Sequence, residues 1–172
     1  MTANGPDRPV QLWGFPMFSV GDRIFYPIFG IGTIGSIETR IVLDEEREYY
    51  VLRFGIDRTE VSVPTANAER SGLRRLSPEN DCREAVRVLK ELSPEQEDET
   101  NWNKRYRENL ERLRTGRIMD MAYVVRRLAD RESRRGLSSG EKKMLTEASA
   151  MLAGELGEVL GGSPEEYLPL MK

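Results

Sequence analysis

The chain has 172 residues, 38% of them apolar and 32% charged, with 26 Lys and Arg against 29 Asp and Glu for a net charge of −3. That is enough apolar material for one ordinary core or two small ones, and no apolar run approaches the roughly 18 residues of a membrane-spanning helix. Histidine is absent and Cys82 is the single cysteine, which excludes Ser-His and Cys-His nucleophiles, imidazole acid–base chemistry, histidine-ligated metals, thiolate clusters and an internal disulfide.

The chain opens with a polar stretch, Met1 to Pro9, followed by Val10 to Phe18, which Gly14 and Pro16 interrupt. Residues 1–17 read as an N-terminal extension with no secretory signal, so the cytoplasm is the default location; Trp13 within it has no assignable role. From Phe18 to Leu76 the residues favour strands. Arg23 to Tyr26, Gly32 to Val42, Glu48 to Phe54 and Thr59 to Val63 are rich in β-branched and aromatic side chains. Turn residues separate them at Gly21-Asp22, Pro27 to Gly30, Leu43 to Glu46 and Gly55-Ile56-Asp57. Five or so short strands in so short a segment suit a small, bent barrel of SH3-like or Tudor-like type, with Gly30, Gly32 and Gly35 permitting tight coiling.

After Ser77 the apolar period changes from two to 3.6. Ser77 is an N-cap ahead of Pro78, and Cys82, Ala85, Val86, Leu89 and Leu92 fall on one face of a first helix. The acidic segment Ser93 to Glu99 is a linker, after which Thr100 or Asn101 caps a second helix that Gly116 ends. A third helix runs from Ile118 to Arg135 and stops at Gly136. Its inward residues are Ile118, Met121, Ala122, Val125, Leu128 and Ala129. Ser138-Ser139-Gly140-Glu141 has capping-box spacing and opens a fourth helix reaching Gly161, while Ser163-Pro164 starts a last short turn. The expected fold is α+β, a Tudor-like barrel over residues 18–76 followed by an all-α bundle of about four to five helices over residues 77–172.

The second helix carries the most informative pattern. At about 100° per residue, Trp102, Tyr106, Leu110 and Leu113 share one sector, flanked by Arg105 and Arg112 on one side and Arg107 and Arg114 on the other. From Asn101 to Arg135 eleven Lys and Arg face five Asp and Glu, a local net of +6 in a chain that is acidic overall. Two readings compete. In one, Trp102 is core, its arginines snorkel, and the helical part is a protein–protein adaptor whose basic face meets an acidic partner. In the other, the basic side chains neutralise phosphates and the indole wedges into a disturbed base step. An acidic protein needs a second contact to hold it on DNA, and the barrel is the candidate for making it. The carboxylates are scattered or run together, as in Asp44-Glu45-Glu46 and Glu95 to Glu99, the pattern of solvated faces rather than of an active site.

Four segments in order, FSVGDRIFYPIFGIGTIGSIETR, VPTANAERSGLRRL, TNWNKRYRENLERLRTG and RGLSSGEKKML, resemble the bacterial CarD/CdnL transcription regulators across about Phe18 to Leu160. The resemblance implies a Tudor-like domain, shared with the polymerase-interacting module of the transcription-repair coupling factor, that binds the lobe of the RNA polymerase β subunit. It further implies a helical domain that contacts promoter DNA at the upstream edge of the melted bubble, where a tryptophan wedge stabilises the open complex. Carried over by position, Trp102 is the wedge, Lys104, Arg105, Arg107 and Lys142 are phosphate contacts, and Arg40 touches polymerase. Ser62 stands where some relatives carry a second polymerase-binding arginine, with Arg53 or Arg58 as substitutes. The resemblance implies no enzyme activity, cofactor or metal, and a monomer in the working complex. The chain also lacks a G-x-x-x-x-G-K-[ST] phosphate loop, so it is not itself a nucleotide-driven repair motor.

Overall fold

The structure, a computed structural model of the chain, is described over residues 18–55, 58–91 and 101–172. The expected N-terminal extension with Trp13, the turn residues Ile56 and Asp57, the helix position Leu92, and the acidic linker with Thr100 lie outside the described residues. Five antiparallel strands come first: β1 (Arg23–Tyr26), β2 (Gly30–Val42), β3 (Glu45–Phe54), β4 (Thr59–Pro64) and β5 (Arg74–Arg75), in the spatial order β4-β3-β2-β1-β5. Five α-helices follow: α1 (Glu79–Glu91), α2 (Trp102–Arg114), α3 (Ile118–Arg135), α4 (Ser139–Leu160) and α5 (Pro164–Tyr167), with a closing 3-10 turn at Leu168–Met171. The architecture is α+β.

Alternation builds the sheet. Ile24, Ile34, Leu52 and Val63 turn inward with Phe18 and Phe54 to make its core, as a half-buried pleated surface requires. Gly32 is obligatory for a different reason than coiling alone, since a Cβ there would lie 2.6 Å from the Phe54 ring and 2.8 Å from the Arg53 carbonyl. The register between β2 and β3 slips at Gly35, between Ile34 and Ser36, a bulge that bends the strand. The expected Leu43 to Glu46 turn shrinks to Leu43 and Asp44, with φ of 54° and 61°, the two left-handed residues of a tight hairpin. β1 pairs with β2 only as far as Thr33, and β4 pairs with β3 only from Tyr49. Residues 35–48 therefore extend as a two-stranded arm, with Ile41 and Leu43 well exposed near its tip.

In the helical part each start and stop has a local cause. Asn101 caps α2 by accepting the Lys104 N–H at 3.2 Å; Gly136 and Gly161 end α3 and α4; and Ser138 and Glu141 form the full capping box of α4. The expected inward residues of α3 are all buried; Ile118, Met121, Ala122 and Val125 form the bundle core with Ala148, Leu152 and Leu156 of α4, and Leu128 clusters with Val124 and Met144.

Sheet and bundle are joined by one dense contact. Phe25 leaves the sheet side of β1 to sit fully buried in the helical core, and the Arg74 guanidinium lies over its ring at 4.3 Å. That guanidinium clasps Glu155 of α4 bidentately, Nη1 to Oε1 at 2.6 Å and Nη2 to Oε2 at 2.8 Å, while its Nε donates to the Gly116 carbonyl at 2.6 Å. Glu155 Oε1 also accepts the Ser77 N–H at 2.8 Å, so a carboxylate without solvent contact is met by three donors. Beside it Gly72 and Gly116, with φ of 83° and 69°, abut so closely that a Cβ on Gly116 would lie 3.0 Å from the Gly72 carbonyl.

Candidate functional site

The heads of α2 and α4 meet, and their contact sets the posture of Trp102. The indole is 44% exposed, stacks on Tyr106 one turn along α2 with ring centroids 5.4 Å apart at 28°, and donates its Nε1–H to Ser138 Oγ at 2.9 Å. Ser138 is the N-cap of α4. Its hydroxyl donates to Glu141 Oε2 at 2.8 Å and accepts the Glu141 N–H at 3.3 Å, and the Ser138 N–H returns to Glu141 Oε2 at 3.1 Å. On its other oxygen Glu141 accepts Arg105 Nε at 2.6 Å. Burial on its own would raise the Glu141 carboxyl, but the bonds from Arg105 and Ser138 outweigh it and hold the group below the usual carboxylate range.

Two sequence expectations are corrected here. Arg105, expected on phosphate, is 3% exposed and its guanidinium is engaged with Glu141, a residue 36 positions later. The buried face of α2 also extends past the expected sector on one side, to Arg105 and Asn109, and leaves out Trp102. Arg105 and Asn109 are its fully buried positions, Tyr106, Leu110 and Leu113 are half-buried against Val124, Leu128 and Met144, and Trp102 lies outside the core. The indole sealed in the core that the adaptor reading needed is therefore not present. Asn109, one turn beyond Arg105, is wholly buried and neither atom of its carboxamide meets a hydrogen-bond partner.

The remaining cations expected on DNA are on the surface. Lys104 and Arg107 are exposed on α2, Lys104 with its ammonium 4.0 Å from Glu108. Lys142 is exposed in the first turn of α4, where its backbone N–H bonds the Ser138 carbonyl at 2.9 Å and its ammonium stands 3.2 Å from Glu132 of α3. These are solvated, replaceable pairs. Around α2, at about 100° per residue, Lys104 and Arg107 project roughly 160° and 140° away from Trp102, so of the four residues only Trp102 stands at the corner with Ser138 and Glu141, and Arg105 lies beneath that corner.

The residues expected on polymerase divide into two groups. Arg40 lies on the arm, its guanidinium on Glu38 at 2.7 Å and 5.1 Å above the Tyr49 ring. Arg53, paired with Glu60 at 2.8 Å, and Arg58, with φ of 55°, line a hollow of about 390 Å³ beside Arg23 and Thr33. Arg53 faces Thr33 across the ladder, seven residues from Arg40 along β2, or about 23 Å. Ser62 is exposed on β4. Among the described residues no three His, Cys, Asp or Glu side chains converge as a metal site, and no described helix is long and apolar enough to cross a membrane.

Sequence reasoning reached the capping box of Ser138 and Glu141 but not the indole and guanidinium that converge on it, and it passed over Arg74 and Glu155 altogether. The signal available was a charged residue inside an apolar stripe, Glu155 between Leu152 and Leu156. Comparison with known proteins agrees with this two-part layout. Residues 18–77 match the family model of the CarD-like/TRCF RID domain, and residues 84–172 match that of the CarD C-terminal domain. A relative from Bacillus subtilis (strain 168), named as the candidate transcription factor YdeB, is 35% identical over 153 residues, spanning 88% of this chain and 97% of the relative.

Proposed function

This chain belongs to the CarD family of transcription factors, which are not enzymes, and from that premise we propose that it tethers to RNA polymerase and holds the promoter bubble open. The sheet binds the lobe of the polymerase β subunit through Arg40, with Arg53 and Arg58 as a second basic contact. The bundle lays Lys104, Arg107 and Lys142 on the phosphates flanking the upstream fork, and Trp102 enters the parting base step. Arg105 supports this face from below. The chain acts as a monomer in the cytoplasm.

One observation carries the reading: a large aromatic ring stands outside the core at a helix end, 44% exposed, on a helix that also exposes Lys104 and Arg107. Tryptophan is highly buried on average, and this ring, stacked on Tyr106 but outside the core, leaves apolar surface available to a partner. Cations there supply affinity without sequence preference. Unstacking a step costs a few kcal/mol, so the ring favours DNA already opening. The acidic overall charge makes the polymerase tether necessary, since it raises the local concentration of the DNA face at its site.

The test is the lifetime of promoter complexes formed by purified polymerase, with and without the protein. Trp102→Ala is expected to shorten that lifetime while leaving the melting temperature within a degree or two of the parent, about the spread of a surface change. Equal lifetimes with an intact fold would remove the wedge. Arg40→Glu is expected to abolish retention on the isolated β lobe and to leave the helical circular dichroism unchanged.

A further inference from the structure

We propose that Ser138 is the positioning residue of the wedge: its hydroxyl grips the indole by the N–H edge, so that Trp102 offers DNA carbon surface only. The inference rests on the reading of Trp102 as the wedge and deepens it. A serine hydroxyl has one donor and two acceptor sites, and all three are in use. It receives Trp102 Nε1–H at 2.9 Å and the Glu141 N–H at 3.3 Å, and it gives its proton to Glu141 Oε2 at 2.8 Å. The donor direction is thereby fixed, and with it the lone pair that meets the indole.

The grip is itself anchored. Glu141 is 1% exposed and held on its other oxygen by buried Arg105, and the approach to Ser138 is pinned where the Leu137 N–H meets Glu132 Oε2 at 2.6 Å. Tyr106 takes one face of the ring. With one face stacked and the N–H edge bonded, the surface left over is carbon. The side-chain freedom that an exposed tryptophan would lose on binding is already lost before DNA arrives. An indole so held cannot read base edges through its nitrogen; it responds to how readily a step unstacks, which is a property of DNA deformability.

The experiment uses the full chain in a Trp13→Phe background, so that Trp102 is the sole indole, with purified polymerase and promoter. Its readouts are open-complex lifetime, melting temperature, and the proton resonance and solvent exchange of the indole N–H. Ser138→Ala removes the cap of α4 together with the grip. Ser138→Gly separates the two, because glycine is a good N-cap residue without a hydroxyl. Ser138→Gly is expected to keep the melting temperature close to the parent, to move the N–H resonance and speed its exchange, and to shorten the lifetime about threefold to tenfold. Ser138→Thr restores both signals. Trp102→Phe retains more lifetime than Trp102→Ala, since the nitrogen is not used on DNA.

Parent values of lifetime and resonance in Ser138→Gly would overturn the proposal, and so would a Trp102→Phe variant as damaged as Trp102→Ala. Should Trp102→Ala shorten the lifetime while Ser138→Gly does not, the wedge stands and its positioning by Ser138 falls. Should Trp102→Ala itself have no effect, the wedge reading fails and takes the positioning role with it.

Discussion

Glu141 stands between Arg105 and Ser138 with almost no solvent contact, and its ionised form is the one those donors favour. Its folded-state pKa is depressed despite the opposing effect of burial, so its contribution to stability is complete above the unfolded carboxyl value of about 4.3 and is lost as the pH falls through the lower folded value. In urea titrations between about pH 6 and about pH 3, Glu141→Gln is expected to show a flatter loss of stability than the parent. Cys82 behaves oppositely. Burial, then the neighbouring Glu155 carboxylate, pushes its thiol up to about 11, so thiol reagents are expected to label it only when the bundle opens. Arg105 shows where reading by residue stops. On a single helical wheel it occupies a flank beside an apolar sector, where a guanidinium ordinarily snorkels to water. What buries it is a carboxylate on another helix 36 positions on, and no local spacing encodes that pair.

Of the four long helices α1 to α4, α2 alone has no fully buried apolar residue. Its fully buried positions are an ion-paired arginine and an asparagine whose carboxamide has no hydrogen-bond partner, whereas α3 buries Ile118, Met121, Val124, Val125 and Leu128. A buried polar group left unsatisfied costs about 1–3 kcal/mol. Asn109→Leu is accordingly expected to stabilise the fold by a similar order of magnitude, about 1 kcal/mol or more, read as a higher urea midpoint with an unchanged slope. The α4 head contributes differently: with Lys142 on a phosphate as proposed, Lys142→Ala is expected to lower the slope of log affinity against log salt by about 0.9. Helix bounds were largely legible in the sequence, because caps and glycine stops act within a turn of the residues they terminate, as at Ser138 and Gly136. The two-residue β5 was not, since Arg74 and Arg75 are strand only by virtue of pairing with Ile24 and Phe25. The apolar sector of Tyr106, Leu110 and Leu113 was legible in α2, but the burial of Arg105 beside it was not, because it depends on Glu141 of another helix.

At the scale of the whole molecule, Arg74 with Glu155 ties the sheet to the bundle. Removing one member of a buried pair leaves the other charge uncompensated and costs about 3–5 kcal/mol, so Glu155→Ala is expected to unfold at far lower urea than the parent, with Arg74→Ala close behind. Composition and the change of apolar period at Ser77 were enough to read a sheet followed by a bundle. The joint between them was not readable, because it consists of an arginine in a short strand, a glutamate in an apolar stripe, and two glycines in separate loops. These four meet only once the chain has folded.

On the proposed function, that joint makes a caliper of the sheet and the bundle. With backbone against backbone at Gly72 and Gly116 and a forked clasp closing the gap, docking of the proposed Arg40 jaw on polymerase would aim the indole jaw at DNA. Loosening the hinge while keeping both jaws intact would leave each with its own grip and deprive the pair of its shared gauge.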